Sequence, residues 1–257
     1  MKISIITSVY NNQETIKEAI ESVLSQTYKN IEYIIIDGGS DDGTVDIIKE
    51  YKNDIDIFVS EQDKGIYDGL NKGISLATGD IIGFLHSDDL YESENILKIV
   101  ADNFLDNSKL DGVYGDLVYT SKEDTSKVLR YWKSKTFDKR LLSKGWMPAH
   151  PTLFLKKSIY NTYGNFDLDF KIAADYDFML RILSKDINVR YIPQVLYKMR
   201  VGGESNKSIK NLFIKSKEDL YAMRKNNISG FYGLIYKNLS KIPQFFLKDK
   251  SFKTLYI

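Results

Sequence analysis

Two adjacent carboxylates, Asp88 and Asp89, follow the apolar run Ile81-Ile82-Gly83-Phe84-Leu85, which puts them where a buried strand surfaces. In open α/β sheets the ligand crevice lies outside the carboxyl ends of the strands, and neighbouring hard oxygen ligands suit Mg²⁺ or Mn²⁺ bridging to a diphosphate. The competing assignment makes Asp89 the N-cap of the next helix, with Glu92 completing a capping box. A second acidic cluster, Ala174-Asp175-Tyr176-Asp177-Phe178-Met179-Leu180-Arg181, opens a strongly patterned helix. A carboxylate there is held by backbone N–H groups and the helix dipole and can take the proton of an attacking hydroxyl. The alternative is that Asp175 is only an N-cap, with Asp177 and Arg181 a surface pair four residues apart.

These groups must be positioned by regular elements, and strand-like and helix-like segments alternate along the chain, the pattern of βαβ units and a mostly parallel sheet. Strands are expected over Lys2–Val9, Glu32–Ile36, Ile55–Ser60 and Ile81–Leu85. Helices are expected over Glu14–Ser25 and Thr44–Tyr51, and after Asp68 as far as Ala77. The turn-rich loop Asp37-Gly38-Gly39-Ser40-Asp41-Asp42-Gly43 joins the second strand to the second helix. Farther on, the pattern predicts a helix over Ser93–Leu105, a strand over Gly112–Tyr119 and a polar segment over Ser121–Lys127. It then predicts a strand over Thr152–Leu155, a helix over Ala174–Ser184 and a short edge strand over Val189–Pro193.

With 257 residues and 43% hydrophobic content, the chain is long enough to bury one core and carry an appendage. The expected division is a domain over 1–204 and a helical extension over 205–257. The absence of cysteine removes disulfide and thiolate chemistry. No signal peptide is recognisable at the N-terminus, and no stretch approaches the roughly 20 apolar residues of a membrane span. A net charge of +1 argues against nucleic-acid binding, yet the tail is basic: Lys207, Lys210, Lys215, Lys217, Arg224, Lys225, Lys237 and Lys241 alternate with Phe213, Tyr221, Tyr232, Tyr236 and Phe245. That composition suits peripheral contact with an anionic membrane. An ordinary helical pair packed on the domain by its aromatic face is the other reading.

Neither G-x-G-x-x-G nor the P-loop pattern occurs, so a dinucleotide or NTPase cradle is not expected, and a bound metal would have to supply positive charge to a diphosphate. Four segments carry a resemblance: Ser4-Ile5-Ile6-Thr7-Ser8-Val9-Tyr10-Asn11, Ser25-Gln26-Thr27-Tyr28, Glu32 through Thr44, and His86-Ser87-Asp88-Asp89. Their order and types resemble the family 2 glycosyltransferases, inverting enzymes of the GT-A fold, a Rossmann-like mixed, mostly parallel sheet flanked by helices. The resemblance runs from Lys2 to about Gly203.

Carried over residue by residue, the resemblance implies that Asp89 ligates a divalent metal (Mn²⁺ or Mg²⁺), with Asp88 beside it on the ribose or the metal's waters. It implies that Thr7, Val9 and Asp37 line the nucleoside pocket, and that Asp175 is the base. Many members carry a second acidic residue directly after the position of Asp37; here it is Gly38, which leaves the nucleobase open with uridine as the default. His150 is implied near the diphosphate or acceptor, Lys64 near phosphate, Asp68 near a sugar hydroxyl, and Arg200 in a loop, Arg200 to Ser205, that folds over the diphosphate. Lys64 and Asp68 read equally as solvated, and the loop as an exit turn. The implied activity is transfer of a sugar from a nucleoside diphosphate sugar, UDP-linked by default, to a glycan or polyprenyl-linked acceptor. The implied setting is bacterial surface-polysaccharide, capsule or lipopolysaccharide assembly in the cytoplasm, at the inner face of the membrane. A catalytically inactive binding module and a nucleotidyltransferase are the rival classes; the latter lacks its glycine-rich basic loop where this chain has Tyr10-Asn11-Asn12.

Overall fold

Strand β1 (Ile3–Val9) is buried along its whole length because β2 (Ile31–Asp37) pairs with one edge and β4 (Ile81–Phe84) with the other, both parallel. Strand β3 (Ile57–Ser60) extends the parallel set beyond β2. Successive side chains of a strand point to opposite faces, and here they divide between two cores. Ile3, Ile5, Ile35, Ile81 and Leu85 join Ile16, Ile20 and Val23 of α1 (Ile16–Leu24) and Leu97 and Val100 of α4 (Ile96–Asp106). Ile6, Ile34, Ile36, Ile82 and Phe84 join Leu70 and Ile74 of α3 (Ile66–Leu76). The continuous apolar runs in the sequence thus belong to strands covered on both sides. The short helix α2 (Thr44–Glu50) lies between β2 and β3 in the chain. The computed structural model describes residues 1–202, 209–228 and 230–239.

The second half continues the same sheet. Strand β8 (Phe154–Lys156) pairs antiparallel with β4 and with β6 (Gly112–Thr120), and β9 (Val189–Arg200) runs parallel to β6 and antiparallel to β5 (Leu90–Tyr91). Strand β7 (Val128–Trp132) pairs with β6, and the order across the sheet is β3-β2-β1-β4-β8-β6-β9-β5. Helices α5 (Lys157–Tyr163) and α6 (Ala174–Leu183) follow β8, and α6 buries Phe178, Met179 and Ile182 on the same side of the sheet as α3.

Three expectations change. Strand β9 does not stop at Pro193 and is not an edge strand; it lies between β6 and β5, and its register with β6 shifts between Tyr191 and Val195. A proline removes one ladder donor, and such a shift in the pairing is where a sheet tolerates it. The capping-box assignment fails, because Asp89 precedes β5 and α4 begins only after Asn95. Asp177 and Arg181 are not a surface pair: Asp177 is buried and also binds Lys225 and Asn226.

The end of helix α7 (Ile209–Lys225) supplies that contact, and helix α8 (Gly230–Leu239) follows it in the chain. Ala222 and Met223 of α7 enter the core cluster of α6, whereas Phe213, Tyr221 and Tyr236 are exposed. The tail from Ser240 onward and the 203–205 part of the expected loop lie outside the described residues. Among the described residues no helix is long and apolar enough to cross a membrane.

A buried carboxylate ties the start of β1 to β2 and β4. Glu32 binds the Lys2 ammonium at 2.7 Å, accepts from Ser4 Oγ at 2.5 Å and Thr78 N at 2.7 Å, and also accepts from Thr78 Oγ1. Burial opposes its ionisation, but the hydrogen bonds from Lys2, Ser4 and Thr78 outweigh it and hold the carboxyl at about 2. A carboxyl depressed in the folded state stabilises above its unfolded pKa and loses that contribution as pH falls through the folded value. Glu32→Gln should therefore melt below wild type at pH 7, and the gap should close as pH falls from about 4.5 toward 2; thermal melts across that range check it, and a gap independent of pH would refute it.

Candidate active site

The first wall is built by the loop after β2. Asp37 is fully buried and accepts from Gly39 N, Ser40 N and Ser60 Oγ at 3.1, 3.1 and 2.7 Å, and from Ser40 Oγ. Its carboxylate is thus used in shaping the turn, in which Gly39 takes a φ of +84°, a conformation open to glycine without strain. Val9 belongs to the core, and its carbonyl accepts Gly38 N at 2.9 Å. Thr7 is buried and donates to the Leu85 carbonyl at 2.7 Å, locking β1 to β4 beneath the site. A Cβ on Gly38 would lie 2.8 Å from Asp63 Oδ2. The β3–α3 loop thus brings the Asp63 carboxylate against Gly38.

The second wall is the turn after β4, where Asp88 and Asp89 have unequal surroundings. Asp89 is 1% exposed; its Oδ1 accepts Arg200 N at 2.8 Å, and Tyr197 hydrogen-bonds the same carboxyl. Burial and the Asp88 charge push its pKa well above the ordinary carboxylate value, against the pull of Arg200 and Tyr197. Asp88 is half-buried and is the more accessible carboxylate. Arg200 does not stand free for phosphate: its guanidinium donates to the Asp88 carbonyl at 2.6 Å and the Lys122 carbonyl at 3.3 Å and pairs with Glu18 at 2.6 Å. It braces the turn from beneath.

The third wall is the start of α6. Asp175 is half-buried; its Oδ1 accepts the Tyr176 N–H at 2.8 Å and lies 3.2 Å from the Tyr67 hydroxyl, which also donates to the Ile172 carbonyl at 2.6 Å. Both contacts fall on Oδ1, which leaves Oδ2 for a substrate proton. Burial, and then the Asp175 charge, push the Tyr67 hydroxyl well above its usual value, so it stays protonated and a donor. Asp175 is the second helical residue and not the N-cap, which is Ala173.

Two imidazoles join the walls. The rings of His86 and His150 lie 6.4 Å apart, with Phe84 and Phe166 against His150. Burial lowers the His150 pKa to about 4, with Asp175 opposing. Burial lowers His86 as well, while the negative charges of Asp88 and Asp175 oppose that shift. His86 Nδ1 and His150 Nε2 are buried without a hydrogen-bond partner, a costly state that a bound hydroxyl or phosphate oxygen would relieve. Lys64 is exposed at the rim, and Asp68 accepts Lys64 N at 3.0 Å while lying 3.8 Å from Lys72. The structure therefore brings Asp88 and Asp175 near the His86–His150 pair, with Asp89 buried beside Asp88, while Thr7, Val9 and Arg200 are engaged in holding the strands and the turn. Tyr67, Asp63 and His86 were not singled out as site residues from the sequence; only the acidic gap at Gly38 hinted at one of them.

Among the described residues no cluster of three or more metal-ligating side chains occurs. The donor set nevertheless fits Mg²⁺ or Mn²⁺, which characteristically take one or two carboxylates and complete their shell with substrate phosphates and water. The elevated Asp89 carboxyl is a group in need of positive charge.

Comparison with known proteins gives the fold and the family. The chain aligns in fold with S. aureus TarS at a TM-score of 0.66 and 18% identity, covering 97% of this chain and 46% of TarS. It aligns with the mannosyltransferase PcManGT of Pyrobaculum calidifontis, solved with GDP-Man and Mn²⁺, at 0.65 and 18%, covering 87% of this chain and 63% of that one. The architecture is thus the GT-A glycosyltransferase fold. The profile described as glycosyl transferase family 2 matches residues 4–188, and the chain belongs to that family. A PGL/p-HBAD biosynthesis glycosyltransferase of Mycobacterium bovis is 30% identical over 219 residues, 82% of each chain.

The unequal carboxylates separate two substitutions. Asp89→Ala strips a partner from the buried Arg200 N–H and from Tyr197 and should cost about 1–3 kcal/mol of stability, whereas Asp88→Ala should stay within about 0.5 kcal/mol of wild type. Urea unfolding of both variants checks the order, and equal losses would contradict it.

Proposed function

We propose that this glycosyltransferase moves one sugar from a nucleoside diphosphate sugar to a hydroxyl of a glycan or polyprenyl-linked acceptor, with inversion. The observation that carries the reading is the half-buried Asp175 carboxylate, of which only Oδ1 is engaged, by the Tyr176 N–H and the Tyr67 hydroxyl. The acceptor oxygen attacks the anomeric carbon while the bond from that carbon to the diphosphate oxygen breaks. The acceptor proton passes to Asp175 Oδ2, and the electron pair leaves with the nucleoside diphosphate. Tyr67 fixes the other oxygen of Asp175 and so aims the base. General-base assistance of this kind is worth roughly 10²–10⁴ in rate.

Asp88, with Asp89 behind it, would hold a divalent cation; such an ion, when bound, offsets the charge of the departing diphosphate. Binding of UDP-GlcNAc by TarS and of GDP-Man with Mn²⁺ by PcManGT supports a sugar-nucleotide donor. Asp63, filling the place left by Gly38, stands in for the acidic residue that reads the base in relatives, and a carboxylate there favours the imide N–H of uracil. His150 offers its unpartnered nitrogen to the donor, and Lys64 and Asp68 line the rim. The M. bovis relative is a PGL/p-HBAD biosynthesis glycosyltransferase, which supports a biosynthetic glycosyl transfer in a bacterium.

Thermal shifts against UDP, GDP, dTDP and CDP, each with and without Mn²⁺, test this. At 100 times Kd a ligand adds about 2.7 kcal/mol. UDP with Mn²⁺ should shift wild type and Asp175→Asn but not Asp88→Ala, and Asp175→Asn should release no product from a UDP-sugar that wild type turns over. No shift with any nucleotide, or full turnover by Asp175→Asn, would overturn the assignment.

A further inference from the structure

Helix α7 lies beyond the 4–188 span of the family match, yet it grips the segment that carries Asp175. The Glu218 carboxylate accepts the backbone N–H groups of Lys171, Ile172 and Ala173 at 2.9, 2.8 and 2.9 Å. These residues lead directly into α6, whose N-cap, Ala173, has no side-chain cap of its own. Donors at such a helix start need outside partners, and a carboxylate there also meets the positive end of the helix dipole. Across the same peptide unit, the Ile172 carbonyl accepts the Tyr67 hydroxyl that contacts Asp175.

The other side of Asp175 is held from α7 and α8 as well. Asp177 accepts Asn226 Nδ2 at 3.0 Å and pairs with Lys225 at 3.4 Å. Asp219 pairs at 2.8 Å with Lys237, whose ammonium lies 3.2 Å from the centre of the Tyr176 ring. Asp175 thus sits between two clamps, both supplied by the helical extension.

We propose that Glu218 is a positioning residue for Asp175, fixing the 171–173 backbone so that the carboxylate and Tyr67 keep their geometry. This rests on the assignment of Asp175 as the base. The extension is therefore part of the catalytic apparatus and not a detachable appendage. Glutamine has nearly the shape of glutamate but one acceptor oxygen in place of two, so Glu218→Gln cannot keep all three N–H bonds while filling the same space.

The test uses the full chain with Mn²⁺ and the sugar nucleotide that wild type turns over fastest among UDP-, dTDP- and GDP-sugars, water serving as acceptor where no sugar acceptor is supplied. Small displacements of a reacting group are costly, so kcat of Glu218→Gln should fall by about 10- to 100-fold while nucleotide Kd and donor KM hold. In an Asp175→Asn background the added Glu218→Gln should change nothing further. Wild-type kcat in Glu218→Gln, or a parallel loss of nucleotide binding and turnover, would overturn the positioning role while an inactive Asp175→Asn left the base intact. Full turnover by Asp175→Asn would instead remove the base, and the inference with it.

Discussion

Everything in the crevice depends on how a buried carboxylate is kept at the end of a parallel strand. Asp89 has no water to solvate it, and its neighbour Asp88 repels it; what it has is the Arg200 N–H and Tyr197, both from β9. The Arg200 side chain then fastens the same turn to the Lys122 carbonyl and to Glu18 of α1. Four segments distant in sequence meet at one guanidinium, whose planar, fixed set of donors suits such a junction. With Asp89 so held, Asp88 is left as the carboxylate accessible to a ligand.

The opposite wall follows a similar logic with different parts. Asp175 needs one oxygen restrained and one left for a proton, and Tyr67 from α3 supplies the restraint because burial beside a carboxylate keeps its hydroxyl protonated. The two cores of the sheet make this possible: α3 and α6 pack on the same face, so a residue near the start of each can meet. Stability and site geometry share these contacts, and among the buried polar atoms without a hydrogen-bond partner are His86 Nδ1 and His150 Nε2, whose rings neighbour each other near Asp88 and Asp175.

Much of this was legible in the sequence. The fully apolar runs of β1, β2 and β4 announced buried parallel strands, and the positions of Asp88 and Asp89 after β4 and of Asp175 at the start of α6 could be read because strand ends and helix starts are local features. What could not be read was long-range. Arg200, expected at phosphate, serves a carbonyl 112 positions away and a glutamate 182 away, and nothing local marks such partners. Strand β9 was cut short at Pro193 because proline usually ends a strand, and only the register shift opposite β6 lets it continue. Asp177 and Arg181 carried the spacing of a surface pair, but α7 buries the first. Asp63 became visible only when its carboxylate was found beside the missing Cβ of Gly38.

If Asp88 and Asp175 serve one metal–nucleotide site, both imidazoles lie close to it. The chain has only two histidines, so histidine-labelled NMR reads this crevice alone. Mn²⁺ with saturating UDP should broaden the imidazole signals of both His86 and His150 in wild type and in Asp175→Asn, and neither in Asp88→Ala. Sharp, unshifted signals from both rings in wild type under saturating Mn²⁺ and UDP would contradict the account.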